Sequence, residues 1–251
     1  MSGAQEKYRG STPVRAADGG DSSGLVYSRT SDTHSVCKFE SRVKLTRKNV
    51  INSARLISED LARSGFRYKA AMITPTYAPW AEWEPKQITD LLKTIRQYLA
   101  RRGHKFRYVW VMELTKKGKP HYHLILWLPK GLTLPKPDKQ GWWKHGMTKI
   151  EWAKNSVGYI AKYASKCSSE HSFPRGARLC GSGGLTPESR IEKRFWTMPK
   201  YVRDCVEQIQ DIKRIPGGFL IKDSGEFIPS RYEFVGMEYN NIIFKLKESE
   251  L

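Results

Sequence analysis

His121, Tyr122 and His123 form a His-x-His run. In an extended chain alternate side chains share a face, so both imidazoles point the same way. Glu113 stands eight residues ahead of His121, and the polar connection Thr115–Pro120 (TKKGKP) lies between them. The flanking runs Lys105–Leu114 (KFRYVWVMEL) and His121–Leu128 (HYHLILWL) are β-rich, which predicts an antiparallel hairpin. A three-residue loop, Lys116–Gly118, with Gly118 left-handed, sets Glu113 opposite His121. Two imidazoles and a carboxylate on one face make a three-ligand divalent site with open positions. A register slip of one residue would destroy it.

Several chemistries use such a donor set. Zinc hydrolysis draws its two His and one Glu from a helical H-E-x-x-H, which this sequence lacks. Iron oxygenases carry the same ligand types on a jelly roll, whereas this chain alternates helices with strands. Mg²⁺ or Mn²⁺ acting as a Lewis acid on a phosphodiester remains. That reaction needs a nucleophile, and Gly158–Lys166 (GYIAKYASK) supplies two overlapping Tyr-x-x-Lys units. Tyr159 and Tyr163 are at i and i+4, neighbours on one helical face, with Lys162 and Lys166 each three residues after a tyrosine. A phenol with pKa near 10 is a poor nucleophile at neutral pH. A nearby ammonium would lower that pKa or hold the scissile phosphate.

The elements that must position these residues follow from periodicity. Val50, Ala54, Ile57 and Leu61 recur at helical spacing. Arg67–Tyr77 reads as a strand, and Pro85 as the N1 proline of a helix through about Arg102, stopped by Gly103. After the hairpin and a Pro/Lys/Gly/Trp-rich loop, a further helix is expected over Ile150–Lys166. From Arg67 the order is strand, helix, strand, strand, helix, with another strand near the end. This is the βαββαβ plan of an α+β, ferredoxin-like or RRM-like antiparallel sheet with helices packed on it. A helix over about Lys200–Lys213 and strands at Gly218–Phe227 and Tyr232–Leu246 would form a C-terminal α/β extension. Three segments are thus expected: a disordered tail (1–35), a catalytic domain (36–186, core motifs 67–166) and the extension (187–251).

Composition bounds the partners. The 251 residues hold 44 Lys+Arg against 25 Asp+Glu, a net charge of +19, which calls for an acidic partner. Eight tryptophans favour nucleic acid, since basic groups neutralise phosphates while aromatic faces stack on unpaired bases. No apolar run is long enough to span a membrane, and the N-terminus has no secretory h-region, so no membrane is expected. Four cysteines without a C-x-x-C pair suit reduced thiols in a cytoplasmic protein.

Taken in order, Glu113-Leu-Thr-Lys-Lys-Gly-Lys-Pro-His121-Tyr-His123 and Tyr159-Ile-Ala-Lys162-Tyr163 closely resemble the HUH endonucleases that initiate rolling-circle replication. Tyr122 fills the bulky hydrophobic position between the histidines as an aromatic variant. Glu113 resembles the third metal ligand in initiators of small single-stranded-DNA viruses. The tyrosines follow the histidines, the order of replication initiators, and their spacing looks like that of two-tyrosine initiators of phages and small plasmids. Met72–Tyr77 (MITPTY) loosely matches the family's first motif. The resemblance covers about Arg67 to Lys166 and implies the HUH fold. It also implies a replication initiation endonuclease that nicks and rejoins single-stranded origin DNA, a metal-dependent nicking-joining enzyme working through a 5′-phosphotyrosine. The 3′-hydroxyl left behind would prime a host polymerase. By that resemblance Glu113, His121 and His123 hold Mg²⁺ or Mn²⁺, Tyr159 attacks first, Tyr163 alternates with it and Lys162 assists. The partners implied are single-stranded DNA, an origin hairpin, and host helicase and polymerase in the bacterial cytoplasm.

Two other functions fit parts of the pattern. An HUH tyrosine transposase shares the motifs, but such enzymes are generally smaller and carry one tyrosine. A non-catalytic single-stranded nucleic-acid-binding module would instead present aromatics on an open sheet face. In the expected register Arg107, Val109, Val111, Ile125 and Trp127 share the face of the metal ligands, and only Trp127 among them is aromatic. For DNA contact the sequence offers Trp142 and Trp143 to stack on bases, and Lys166, Arg175 and Arg178 to meet phosphates, with Arg190, Lys193 and Arg194 continuing the basic stretch.

Overall fold

Three long β-rich runs in the middle of the chain pair with one another, and everything that positions the candidate site hangs on the sheet they make. The computed structural model describes residues 27–28, 33–65, 67–164 and 173–247. Their elements in chain order are β1 (Tyr27–Ser28), β2 (Thr33–Cys37), α1 (Lys38–Arg63), β3 (Tyr68–Tyr77), α2 (Gln87–Ala100), β4 (Tyr108–Leu114), β5 (Pro120–Pro129) and β6 (Gly146–Ala153). There follow α3 (Ser156–Ala164), β7 (Cys180–Gly183), α4 (Pro187–Thr197), α5 (Lys200–Asp204), β8 (Ile212–Ile215), β9 (Gly218–Ile221), β10 (Phe227–Pro229), β11 (Tyr232–Glu238) and β12 (Asn241–Leu246). The fold is mixed α+β, and every strand pairing is antiparallel. Among the described residues no helix is long and apolar enough to cross a membrane.

Contacts divide the chain into two units, residues 42–230 and residues 1–41 with 231–251. The larger unit holds the five-stranded sheet β6-β3-β5-β4-β7. On one face, the α2 stripe Ile88, Leu91, Leu92, Ile95 and Leu99 packs on Trp110, Met112, Tyr122, Leu124 and Leu126. On the other, Val50, Ala54, Ile57 and Leu61 of α1 and Ile160 and Ala164 of α3 cover Val109, Val111, Ile125 and Trp127. Each large apolar side chain buried this way stabilises the fold by roughly 1.5–3 kcal/mol. A third, smaller core (Phe195, Val202, Ile212, Phe219, Ile221, Ile228) joins α4 and α5 to the sheet β10-β9-β8. β7 (CGSG) can lie against β4 because two of its residues lack side chains. A Cβ on Gly181 would sit 2.5 Å from Trp110 Nε1, and one on Gly183 2.5 Å from Tyr108 Cε1.

The smaller unit is a four-stranded sheet, β1-β2-β12-β11. His34 of β2 stacks on Phe244 of β12, ring centroids 5.7 Å apart, and Tyr232 meets the same ring edge-on at 5.1 Å.

Four local expectations change. Residues 146–153 form a strand, not the start of a helix, because Gly146–Ala153 pairs along the whole of Ala70–Tyr77. The helix begins at Ser156, where Asn155 Oδ1 accepts the Gly158 N–H at 2.8 Å. Pro85 precedes α2 by a turn, since the helix opens at Gln87 after Lys86. The helix expected over 200–213 ends at Asp204. A longer one precedes it, capped by Thr186 Oγ1 on Ser189 N at 3.1 Å with Pro187 in the first turn, and β8 takes Ile212–Ile215. β1 and most of β2 fall within the stretch read as a tail, and β2 pairs with β12, a partner roughly 200 residues away that local patterning does not reveal.

Candidate metal and tyrosine centre

The hairpin is built as its turn chemistry requires. Thr115 N–H donates to Lys119 O at 2.8 Å, closing the three-residue loop, and Gly118 N–H donates to Thr115 O at 2.8 Å. Lys119 N–H donates to Thr115 Oγ1 at 3.1 Å. Gly118 takes φ 73°, the left-handed region that disfavours a side chain. This loop locks the register at Glu113↔His121, with Val111↔His123 two residues on.

Glu113, His121 and His123 therefore meet on one face, their donor atoms within 4.8 Å of one another. Glu113 Oε1 lies 2.9 Å from His123 Nε2, and the two imidazoles meet edge to face with centroids 4.8 Å apart. His123 is 4% exposed, and its Nδ1 is buried with no hydrogen-bond partner among the described residues. Ligands on one ion at about 2.1 Å stand at most about 4.2 Å apart, so a slight contraction closes the trio on a cation. Two imidazole nitrogens, a carboxylate oxygen and a buried nitrogen lacking a partner fit a divalent metal. The geometry does not choose which one.

The strand beside the hairpin adds a residue that spacing does not disclose. β3 pairs with β5 so that Thr76 stands opposite His121, and Thr76 Oγ1 lies 3.3 Å from His121 Nδ1. This is the position of an outer-shell partner that orients a ligating imidazole. The only hint in the sequence is the loose match of Met72–Tyr77 to a family motif. Tyr122, between the histidines, faces the opposite way into the α2 core. There its hydroxyl accepts from Trp83 Nε1 at 2.8 Å, and burial pushes its phenol up to about 12.

α3 brings the tyrosines. Ile160 and Ala164, one turn apart, anchor the helix in the core, which turns Tyr163 toward the hairpin. The Tyr163 ring stacks on His123 with centroids 3.4 Å apart and planes 15° from parallel. Tyr159, a turn earlier, is 39% exposed. The sequence suggested a lysine-lowered phenol. For Tyr163 the shift is upward, first through burial and then through the negative charges of Glu113 and Glu151. The Lys162 ammonium stands 5.8 Å from the Tyr163 ring centroid and is exposed.

The other expected contacts scatter. Trp143 is 2% exposed and sits edge-on to Tyr77 at 5.1 Å, donating Nε1 to Thr76 O at 3.3 Å. It braces β3 from within the core and has no face to offer a base. Trp142 is half-buried against Tyr98, centroids 5.2 Å apart. Arg175 and Arg178 are exposed, and the Arg178 guanidinium stands 5.8 Å from the Trp110 ring centroid. Lys166 lies outside the described residues.

Comparison with curated proteins and with solved structures returns no match. Residues 70–168, from β3 through the tyrosine helix, match the model of a family described as Replication-associated protein ORF2. That segment carries Thr76, the metal-competent trio and both tyrosines, and the match supports a replication-initiator family and a part in DNA replication.

Proposed function

We propose that this protein initiates rolling-circle replication by nicking single-stranded origin DNA and rejoining it through a tyrosine. The observation that carries this reading is the Tyr163 ring lying flat on His123 beside Glu113, with Tyr159 one turn away on the same helix. A divalent ion held by Glu113, His121 and His123 would supply Lewis acidity at a phosphodiester oxygen. The chain's own groups do the rest. The exposed Tyr159 is the phenol a single strand reaches first. Its Oη attacks phosphorus, an Oη–P bond forms, and the P–O3′ bond breaks. The phenolic proton leaves to solvent, and the departing 3′-oxygen takes one up. The 5′ end stays on the tyrosine, so bond energy is kept for rejoining and no nucleotide cofactor is required.

Tyr163 is the second nucleophile, and Lys162, exposed beside both rings, is placed to meet the scissile phosphate. The raised pKa of Tyr163 keeps its phenol protonated until a strand and cation arrive. The 3′-hydroxyl would then be extended by a host polymerase behind a host helicase, which places the reaction in a bacterial cytoplasm. A sheet that binds single strands without chemistry is less well supported, because α1 and α3 cover the face it would use.

The test is covalent capture. Wild-type protein with Mn²⁺ and an origin-derived oligonucleotide should yield a protein–DNA adduct that maps to Tyr159 or Tyr163 by mass spectrometry. An adduct that persists in the double variant Tyr159→Phe/Tyr163→Phe would sink the mechanism.

A further inference from the structure

At the end of β4 remote from Glu113, two clefts of about 560 and 510 Å³ share the Gly183–Gly184–Leu185 loop and so form one continuous groove. Arg96, Lys105 and Arg107 line one side, and Arg190, Lys193 and Arg194 line the other. No Asp or Glu is among the described residues lining either cleft. Arg194 is partly neutralised by Asp211. Lys193 is not treated that way: it is half-buried, and its ammonium donates to Ser182 Oγ at 2.9 Å, itself bonded to Ser53 Oγ at 3.1 Å. Burial pulls its pKa below the usual lysine range. A desolvated ammonium pinned by neutral hydroxyls, in a cleft free of carboxylates, is arranged for an incoming anion.

The groove's aromatics are already engaged. Phe106 stacks on Tyr108 at 4.5 Å, the Arg96 guanidinium lies 5.7 Å from the Phe106 centroid, and Gly183 packs directly on the Tyr108 ring. Unpaired bases would find no free aromatic face here, so the partner is recognised by its phosphates, as a duplex with its bases turned inward is. Tyr108 and Glu113 are five residues apart on β4, which is roughly 17 Å at the usual strand rise. That equals about five phosphate steps of one strand of B-DNA.

We propose that this groove binds the phosphate backbone of the DNA duplex adjoining the strand to be nicked, holding it about half a helical turn from the metal and tyrosine centre. The DNA identity rests on the function proposed above, but the groove is testable without catalysis. With EDTA present, the full chain is titrated by fluorescence anisotropy into a labelled 20-base-pair duplex of arbitrary sequence and into oligo-dT of equal length, from about 50 to 200 mM NaCl. Each phosphate contact contributes about 0.9 to the slope of log K against log salt. Lys105→Gln/Arg107→Gln/Arg190→Gln should therefore flatten the duplex slope by about 2.7, and the oligo-dT slope much less. Lys86→Gln/Lys93→Gln/Lys213→Gln, which removes exposed charge elsewhere, should leave the duplex slope within about 0.5 of wild type.

An unchanged slope in the groove variant, an equal loss in the control, or an equal loss on oligo-dT would each overturn the proposal. If the triple variant fails to fold, Arg190→Gln alone, exposed on α4, should flatten the slope by about 0.9, and no change there is equally adverse. Adduct formation on a short single strand with Mn²⁺ is measured in parallel and should survive the groove variant. Its absence from the wild type would count against nicking while leaving the slopes to judge the groove.

Discussion

Thr76 offers the sharpest test of how the centre is held. Its hydroxyl lies 3.3 Å from His121 Nδ1 and reaches that ring from the neighbouring strand. When a cation occupies the other ring nitrogen, Nδ1 carries the proton and Thr76 Oγ1 accepts it. Thr76→Val removes the acceptor while keeping shape and β-branching, so packing at this half-buried strand position is nearly preserved. Losing an outer-shell partner typically weakens metal binding 10- to 100-fold, about 1.4–2.7 kcal/mol. At 3.3 Å the bond is long, which places the expectation near tenfold. Isothermal titration of Mn²⁺ into wild type and variant reads this directly, and urea unfolding without metal should differ by less than about 1 kcal/mol. Equal Mn²⁺ affinities would refute the orienting role. A metal-free stability loss of several kcal/mol would mean that Thr76 serves the sheet instead.

Further outcomes follow from other parts of the structure. Mn²⁺ at a hundredfold excess over Kd should stabilise the wild type by about 2.7 kcal/mol in thermal unfolding. His123→Ala should abolish that gain, and an equal shift in both proteins would place the cation elsewhere. Gly181→Ala should lower the urea midpoint by an amount equivalent to about 1–3 kcal/mol, because the new methyl would meet Trp110 Nε1 at 2.5 Å; an unchanged midpoint would contradict the close approach of β7 to β4. Asp211 accepts from Lys222 Nζ at 2.7 Å and pairs with Arg194, and these partners hold its carboxyl below the usual range. With the folded pKa depressed, its stabilisation is complete above the unfolded value near 3.9 and is lost as pH falls through the folded one. Asp211→Asn should thus be less stable than wild type by about 1–2 kcal/mol at pH 7, with the gap closing below about pH 4. A gap independent of pH would exclude the charge as its cause.

The parts of this protein legible in sequence are those governed by short-range chemistry. Gly118 in a three-residue loop sets the hairpin register, and with it the meeting of Glu113, His121 and His123, because turn geometry and side-chain alternation act within a dozen residues. The α2 stripe and its stop at Gly103 are local for the same reason. Residues 146–153 show the limit. Their alternation is weak, and only the length of pairing with β3 makes them a strand. Trp143 looked like a base-stacking residue beside basic neighbours, yet packing against Tyr77 places it inside. Thr76 meets His121 across 45 residues, and Tyr163 reaches His123 only because α3 docks through Ile160 and Ala164. The donors of the site could thus be read from the sequence. What orients them, and which tyrosine lies against them, depends on non-local packing, which no local propensity encodes.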